Sequence, residues 1–223
     1  MTDVNPSKAR REREREALRR EIVGAARTLF VKKGYASVTM RAIARKIGYT
    51  ATAIYYHFPD KETLVHAVCD EDLRTLSDHL KRIGRGADPV DRIRKMGLAY
   101  TAFGLEHPQS YQMLFMNPGP PHDPAHSEIE HGNPEQDAYA FLVRAAAEAI
   151  QADRFRPGIT DADLVAQVLW SAVHGVVALR LAMSEDRWIE WRPALKTAEL
   201  LIDRLLDGLA VGGAGGSGKE AHG

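Results

Sequence analysis

Between residues 122 and 131, His122, Asp123, His126, Glu128, Glu130 and His131 supply the imidazole and carboxylate donors that could hold a metal ion. They lie in a loop with Pro118, Pro120, Pro121, Pro124 and Pro134, plus Gly119 and Gly132, and such a segment does not preorganise a coordination sphere. No metal or other cofactor is expected. Cys69 is the single cysteine and falls on an apolar helical stripe, where a thiol is buried and inert. The chain has no nucleophile elbow, phosphate-cradling glycine loop, HExxH or CxxC motif, so an enzyme is not expected. The remaining chemistry is hydrogen bonding. Thr50, Ala51, Thr52 and Ala53 set hydroxyls and methyls at the start of a short helical segment. Such side chains suit base-pair edges: Thr52 can donate to or accept from a base, and the Ala51 methyl can meet a thymine methyl. Arg41 could pair with a guanine or a phosphate.

The elements that would position these residues are all helical. A first helix is signalled from Glu21 by Ile22, Ala25, Ala26, Leu29 and Phe30, with Lys32 and Lys33 suiting its C-terminal dipole and Gly34 ending it. Thr39 caps a second helix carrying Ile43, Ala44 and Ile47 and stopped by Gly48. Thr50 caps a third, with Ile54, Tyr55 and Phe58 inward, before Pro59 blocks it. Two-turn helices are marginal alone, so the three must share a core of Leu29, Phe30, Ile43, Ile47, Ile54 and Phe58.

Asp60 caps a long fourth helix running to Gly84 and Gly86. A helix follows Pro89 and ends at His107 and Pro108, then comes a short one over residues 109–116, a loop over 117–134, and helices over 135–153, 161–184 and 192–209. The helix at 161–184 is apolar over most of its circumference, which demands a central position or a subunit interface. No strand or internal repeat is evident. The fold class is therefore all-α: a three-helix helix-turn-helix domain followed by a larger helical domain. The boundaries read as a basic arm over 1–18, which either lacks order or extends the first helix, then 19–64, 65–210, and a glycine-rich flexible tail over 211–223.

Of the 30 basic and 30 acidic residues, 1–64 hold fourteen Lys or Arg against seven Asp or Glu, a net +7 that the rest of the chain offsets with −7. A basic segment on an acidic body suits a polyanion-binding module joined to a partner domain. The N-terminus lacks a secretory apolar run and no stretch reaches eighteen consecutive apolar residues, so a cytoplasmic location without a membrane span is expected.

From Thr39 to Leu64 the sequence resembles the tetracycline-repressor (TetR) family of bacterial regulators. The resemblance rests on Thr39, Arg41, Ile43, Ala44, Gly48, Tyr55, His57, Phe58, Lys61, Glu62 and Leu64, with Ala26, Phe30, Gly34 and Tyr35 upstream. It implies a homodimer that docks two recognition helices on a palindromic operator in double-stranded DNA. It also implies that Tyr55, Tyr56, His57 and Lys61 touch the DNA backbone, with Thr39 and Thr50 offering hydroxyl or helix N-terminal amide donors. Many relatives have a basic residue and then glycine where Ala51 and Thr52 stand, so the operator sequence stays open. Tyr55 can equally be read as a core residue beside Ile54 and Phe58.

His107-Pro108 followed by Tyr111, Met113, Leu114 and Phe115, together with Trp170, His174 and Gly175, resembles the WHG-type subclass of TetR-like C-terminal domains. That resemblance implies a small-molecule effector pocket and a dimer interface on the last two helices. Met96, Tyr100, Phe103, Tyr111, Phe115, Trp170 and His174 would line the pocket, unless they are ordinary core residues. The expected function is a transcriptional repressor released from its operator by a ligand. The alternative is an architectural DNA-binding protein without ligand control.

Overall fold

A computed structural model describes residues 6–83, 88–117 and 127–211. The candidate metal donors His122, Asp123 and His126, the helix-ending Gly84 and Gly86, the loop residues Pro118 to Pro124, and the tail from residue 212 lie outside the described residues, as do the first five residues of the arm. Among the described residues there are nine helices: α1 Pro6–Lys33, α2 Met40–Lys46, α3 Ala51–His57, α4 Lys61–Lys81, α5 Pro89–Glu106, α6 Pro108–Phe115, α7 Ala138–Gln151, α8 Ala162–Met183 and α9 Ala194–Leu209. The protein is all-α; its β-type pairing among these residues is one isolated bridge, Phe155 with Ala210.

The chain forms two compact units, one of residues 1–76 with 106–131, the other of 77–105 with 132–223. In the first unit, α1 to α4 close around Ile22, Val23, Phe30, Val38, Ile43, Ile54, Phe58, Leu64 and Val68, all buried. Leu29 and Ile47, expected inside, are only partly buried against this core. Met113 of α6 joins it from a distant part of the sequence. Buried carboxylates on α4 hold the outlying segments: Asp72 takes Arg27 of α1 and the Ser110 hydroxyl of α6, each at 2.8 Å, while Asp70 accepts from the Ser127 hydroxyl at 2.6 Å and the Glu128 amide at 2.8 Å. Glu128, one of the candidate metal donors, pairs instead with Arg74 and, at 3.9 Å, with Arg19. Cys69, expected to be buried, is partly buried against this core, and burial first, then Asp72 and Asp70, push its thiol up to about 12.

In the second unit α8 packs on both α7 and α9. Asp161 caps α8 through the Leu164 amide and Asp137 caps α7 through those of Tyr139 and Ala140. α5 is tied to α9 by Arg94, whose guanidinium meets Asp203 at 2.6 Å and Glu199 at 2.8 Å, and to α7 by the buried Arg92 with Glu148. By length and composition α8 alone among the described helices could cross a membrane, yet only 28% of its most apolar stretch is buried within the chain. Leu164, Val168 and Leu179 stay exposed on it, as do Leu195 and Leu200 on α9.

Candidate nucleic-acid interface

Two capped helices and one left-handed glycine build the interface. The Thr39 hydroxyl accepts from the Ala42 amide at 3.2 Å and starts α2; the Thr50 hydroxyl accepts from the Ala53 amide at 3.3 Å and starts α3. Between them Gly48 takes φ +74°, a conformation that glycine adopts without a Cβ penalty. The reversed backbone lets the Tyr49 amide reach the Ala44 carbonyl at 3.0 Å and the Gly48 amide reach that of Arg45, the double bond of a Schellman motif. The turn from α2 into α3 is thereby fixed at four residues, Ile47 to Thr50.

On α3 only Ile54 is buried, facing the core from the middle of the helix. Thr52 is exposed beside the half-buried Ala51 and Ala53, so methyl and hydroxyl groups alternate at the helix start. Tyr55 is 50% exposed and Tyr56 76%; the first of these settles outward rather than in the core. Tyr56 meets the His57 ring edge-on, with centroids 5.5 Å apart. The His57 imidazole is held below its ordinary pKa by burial first, then by the cationic Arg15 and Arg19, against a smaller opposing effect of Glu16. Arg41 is exposed at the first turn of α2.

Lys61 also makes contacts within the chain. Its ammonium donates to the Tyr35 carbonyl at 2.9 Å and the Val38 carbonyl at 3.2 Å, and lies 4.1 Å from the Tyr35 ring centre. It fastens the α1–α2 loop, a role its sequence position did not announce. Tyr49, 46% exposed at the turn, and the exposed Arg45 and Lys46 on the last turn of α2 add polar and basic groups that the sequence reading passed over. The signal available for them was local: two cations and an aromatic flanking a glycine turn.

The seven candidate pocket residues divide between the two units. Tyr111 and Phe115 belong to the first, their rings 5.1 Å apart and Tyr111 fully buried. In the second, the Trp170 indole N–H donates to the Tyr100 hydroxyl at 3.1 Å, and that hydroxyl lies 3.3 Å from His174 Nδ1. The hydroxyl accepts from Trp170, and in its contact with Nδ1 either group donates according to the imidazole tautomer. Burial holds His174 below its ordinary pKa. Met96 and Phe103 are buried on the same helix as Tyr100.

Comparison with known proteins divides the chain at a different place, because the second matched region includes residues 106–131 of the first unit. Residues 22–68 match the family model for bacterial regulatory proteins of the tetR family, and residues 93–205 match the tetracyclin repressor-like C-terminal domain. The HTH-type transcriptional regulator TtgR of Pseudomonas putida is 40% identical over 82 residues, which is 37% of this chain and only 39% of TtgR. The HTH-type transcriptional repressor KstR2 of Mycobacterium tuberculosis is 29% identical over 155 residues, covering 66% of this chain and 73% of KstR2. Among solved structures, a TetR family regulator from Marinobacter aquaeolei superposes with a TM-score of 0.69 at 21% identity, covering 90% of this chain and 98% of that one. SmeT, the repressor of a Stenotrophomonas maltophilia multidrug efflux pump, gives 0.64 at 22% identity, covering 92% and 96%. The structural likenesses carry the fold; the family models, the second of which alone spans half of the chain, carry the assignment. The chain belongs to the TetR family of bacterial regulatory proteins.

Proposed function

We propose that this protein is a sequence-specific, DNA-binding transcriptional regulator, a repressor that leaves a palindromic operator when a small molecule binds its second unit. The observation that carries this reading is the outward face of α3. Capping hydroxyl, methyls, Thr52 and two exposed tyrosines stand on a helix whose opposite side is anchored by Ile54, with no chemistry to perform except contact. A helix N-terminus favours phosphate, and short hydroxyl and methyl groups favour base edges. Thr39, Arg41, Thr50, Tyr55, Tyr56 and His57 then hold the DNA backbone or flanking bases, and Ala51, Thr52 and Ala53 read sequence. Lys61 joins these backbone contacts from the start of α4, where it also fixes the α1–α2 loop.

Two copies would join through α8 and α9, where Leu164, Val168, Leu179, Leu195 and Leu200 are exposed. The effector seat centres on Tyr100, Trp170 and His174, with Met96 and Phe103 as apolar lining, and the protein works in the cytoplasm on chromosomal DNA. Ligand need only favour one of two conformations to change operator affinity, by about 1 to 3 kcal/mol of coupling.

The test is selection from a random duplex pool by the purified full chain. Enrichment of a palindrome with a steep salt slope, near −0.9 per neutralised phosphate, is expected. A retained pool that stays random would favour an architectural role, and absence of any retained duplex would refute the reading.

A further inference from the structure

The regular register of α1 before the family-matched region draws attention to its cations. The matched region begins at Ile22, yet the helix begins at Pro6, so four turns of helix precede it. Residues 7–20 hold seven cations, Lys8, Arg10, Arg11, Arg13, Arg15, Arg19 and Arg20, against Glu12, Glu14 and Glu16, a net +4. Lys8, Arg11, Arg15, Arg19 and Ile22 follow one another at intervals of 3, 4, 4 and 3, which keeps them on one face.

The inner end of that line is located by its contacts. Ile22 is fully buried in the core with Phe58, and the Arg19 guanidinium lies 5.1 Å from the Phe58 ring centre, at the residue that ends α3. Arg15 and Arg19 both act on His57, the last residue of α3. The outer end is free of competition. Lys8, Arg11 and Arg15 are exposed, and among the described residues none of the three is ion-paired, whereas Arg10 on the opposite face is bound to Glu14 at 2.8 Å.

We infer that α1 continues as a phosphate-binding arm, with Lys8, Arg11, Arg15 and Arg19 forming a line of cations that follows the sugar-phosphate backbone of duplex DNA beyond the end of the recognition helix. The line runs about 16 Å from Lys8 to Arg19 at 1.5 Å per residue. The partner is fixed by charge and by place: a cationic row that begins where the recognition helix ends, with Arg19 also 3.9 Å from Glu128 and its outer three members not ion-paired, meets the polyanion that helix engages. Guanidinium groups suit phosphate oxygens through paired donors. Such contacts carry affinity and register without sequence preference.

The inference rests on the DNA-binding reading above, and its test separates the two. Full-length Arg11→Gln/Arg15→Gln protein is compared with wild type on the selected operator and on a scrambled duplex of equal length, across a salt series. A second variant, Arg10→Gln/Arg13→Gln, removes the same charge from the opposite face; glutamine keeps helix propensity close to that of arginine. The expected result is a salt slope shallower by about 2 for Arg11→Gln/Arg15→Gln, from about 0.9 per lost phosphate contact. Both duplexes should weaken by the same factor, the selected palindrome should not change, and the other double variant should have a near wild-type slope. An unchanged slope, or an equal loss in both variants, would overturn the arm and leave only diffuse attraction. A wild type that retains no duplex would instead refute the DNA-binding reading, and the arm with it.

Discussion

His57 shows how one side chain can report on the interface. Burial, Arg15 and Arg19 all disfavour its imidazolium, so in the free protein its pKa lies below the ordinary 6.5. A DNA phosphate against the ring would favour the charged form and raise the pKa in the complex. Binding must then take up a proton, and by linkage operator affinity rises as pH falls through the bound-state pKa, levelling off below the free-state value. Titration of operator binding from about pH 8 to pH 6 should show this rise in wild type and a flatter profile in His57→Gln. An identical slope in the variant would mean that His57 does not meet phosphate. The residue types here were legible in the sequence, because Thr39, Thr50, Gly48 and His57 announce caps, turn and helix end by identity alone. The occupation of Lys61 was not. Its partners are two backbone carbonyls more than twenty residues away, and a backbone carbonyl leaves no mark in sequence.

At the level of elements, periodicity located the helices well where an apolar face had to be buried, and failed to decide the arm, whose alternating arginine and glutamate carry no apolar period. That segment is helical through its continuity with α1 and pairs such as Arg10 with Glu14. Contacts between helices distant in sequence were also beyond local patterns. Met113 in the first core, Arg92 with Glu148, and the close approach of α5 to α8 and α9 at Gly97 are examples. A Cβ on Gly97 would stand 2.7 Å from Ile202 Cδ1 and 3.4 Å from Val173 Cγ1. Ile202 is 1% exposed and must shift its terminal methyl within a filled space. Gly97→Ala should therefore destabilise the protein by about 1 to 3 kcal/mol, the usual range for overpacking. Thermal unfolding would register this as a lower Tm. Ile202→Val removes the methyl that collides, so in the double variant the two losses should be less than additive. Full additivity would show that the close approach does not set this packing.

The whole molecule poses the question of what covers α8 and α9. A helix with mean hydropathy of 1.6 over eighteen residues and 28% of that stretch buried leaves apolar surface that one copy cannot hide. Its exposed and small positions, Leu164, Val168, Ser171, Gly175, Ala178 and Ala182, advance by alternating steps of 4 and 3, the register of one helix seam against another. Small residues in the middle of that seam permit close approach: a Cβ on Gly175 would meet nothing within 4 Å inside the chain. On α9, which packs on α8, Leu200 is 62% exposed. A second copy offering the same surface satisfies both, since a two-fold interface is complementary to itself. Leu200→Glu would place a carboxylate in that interface twice over while changing nothing inside the protomer, and burying an unpaired charge costs several kcal/mol. Sedimentation should then give the mass of one chain where wild type gives two, with helicity retained. Operator affinity should fall by more than any single base contact explains, because a lone recognition helix reads half of a palindrome. Loss of the concentration dependence of Tm would accompany it, since only an associating protein gains stability by mass action. If Leu200→Glu and Leu164→Glu both retained the two-chain mass, the exposed seam would belong to some other contact and the geometry of operator reading would have to be sought on a different face.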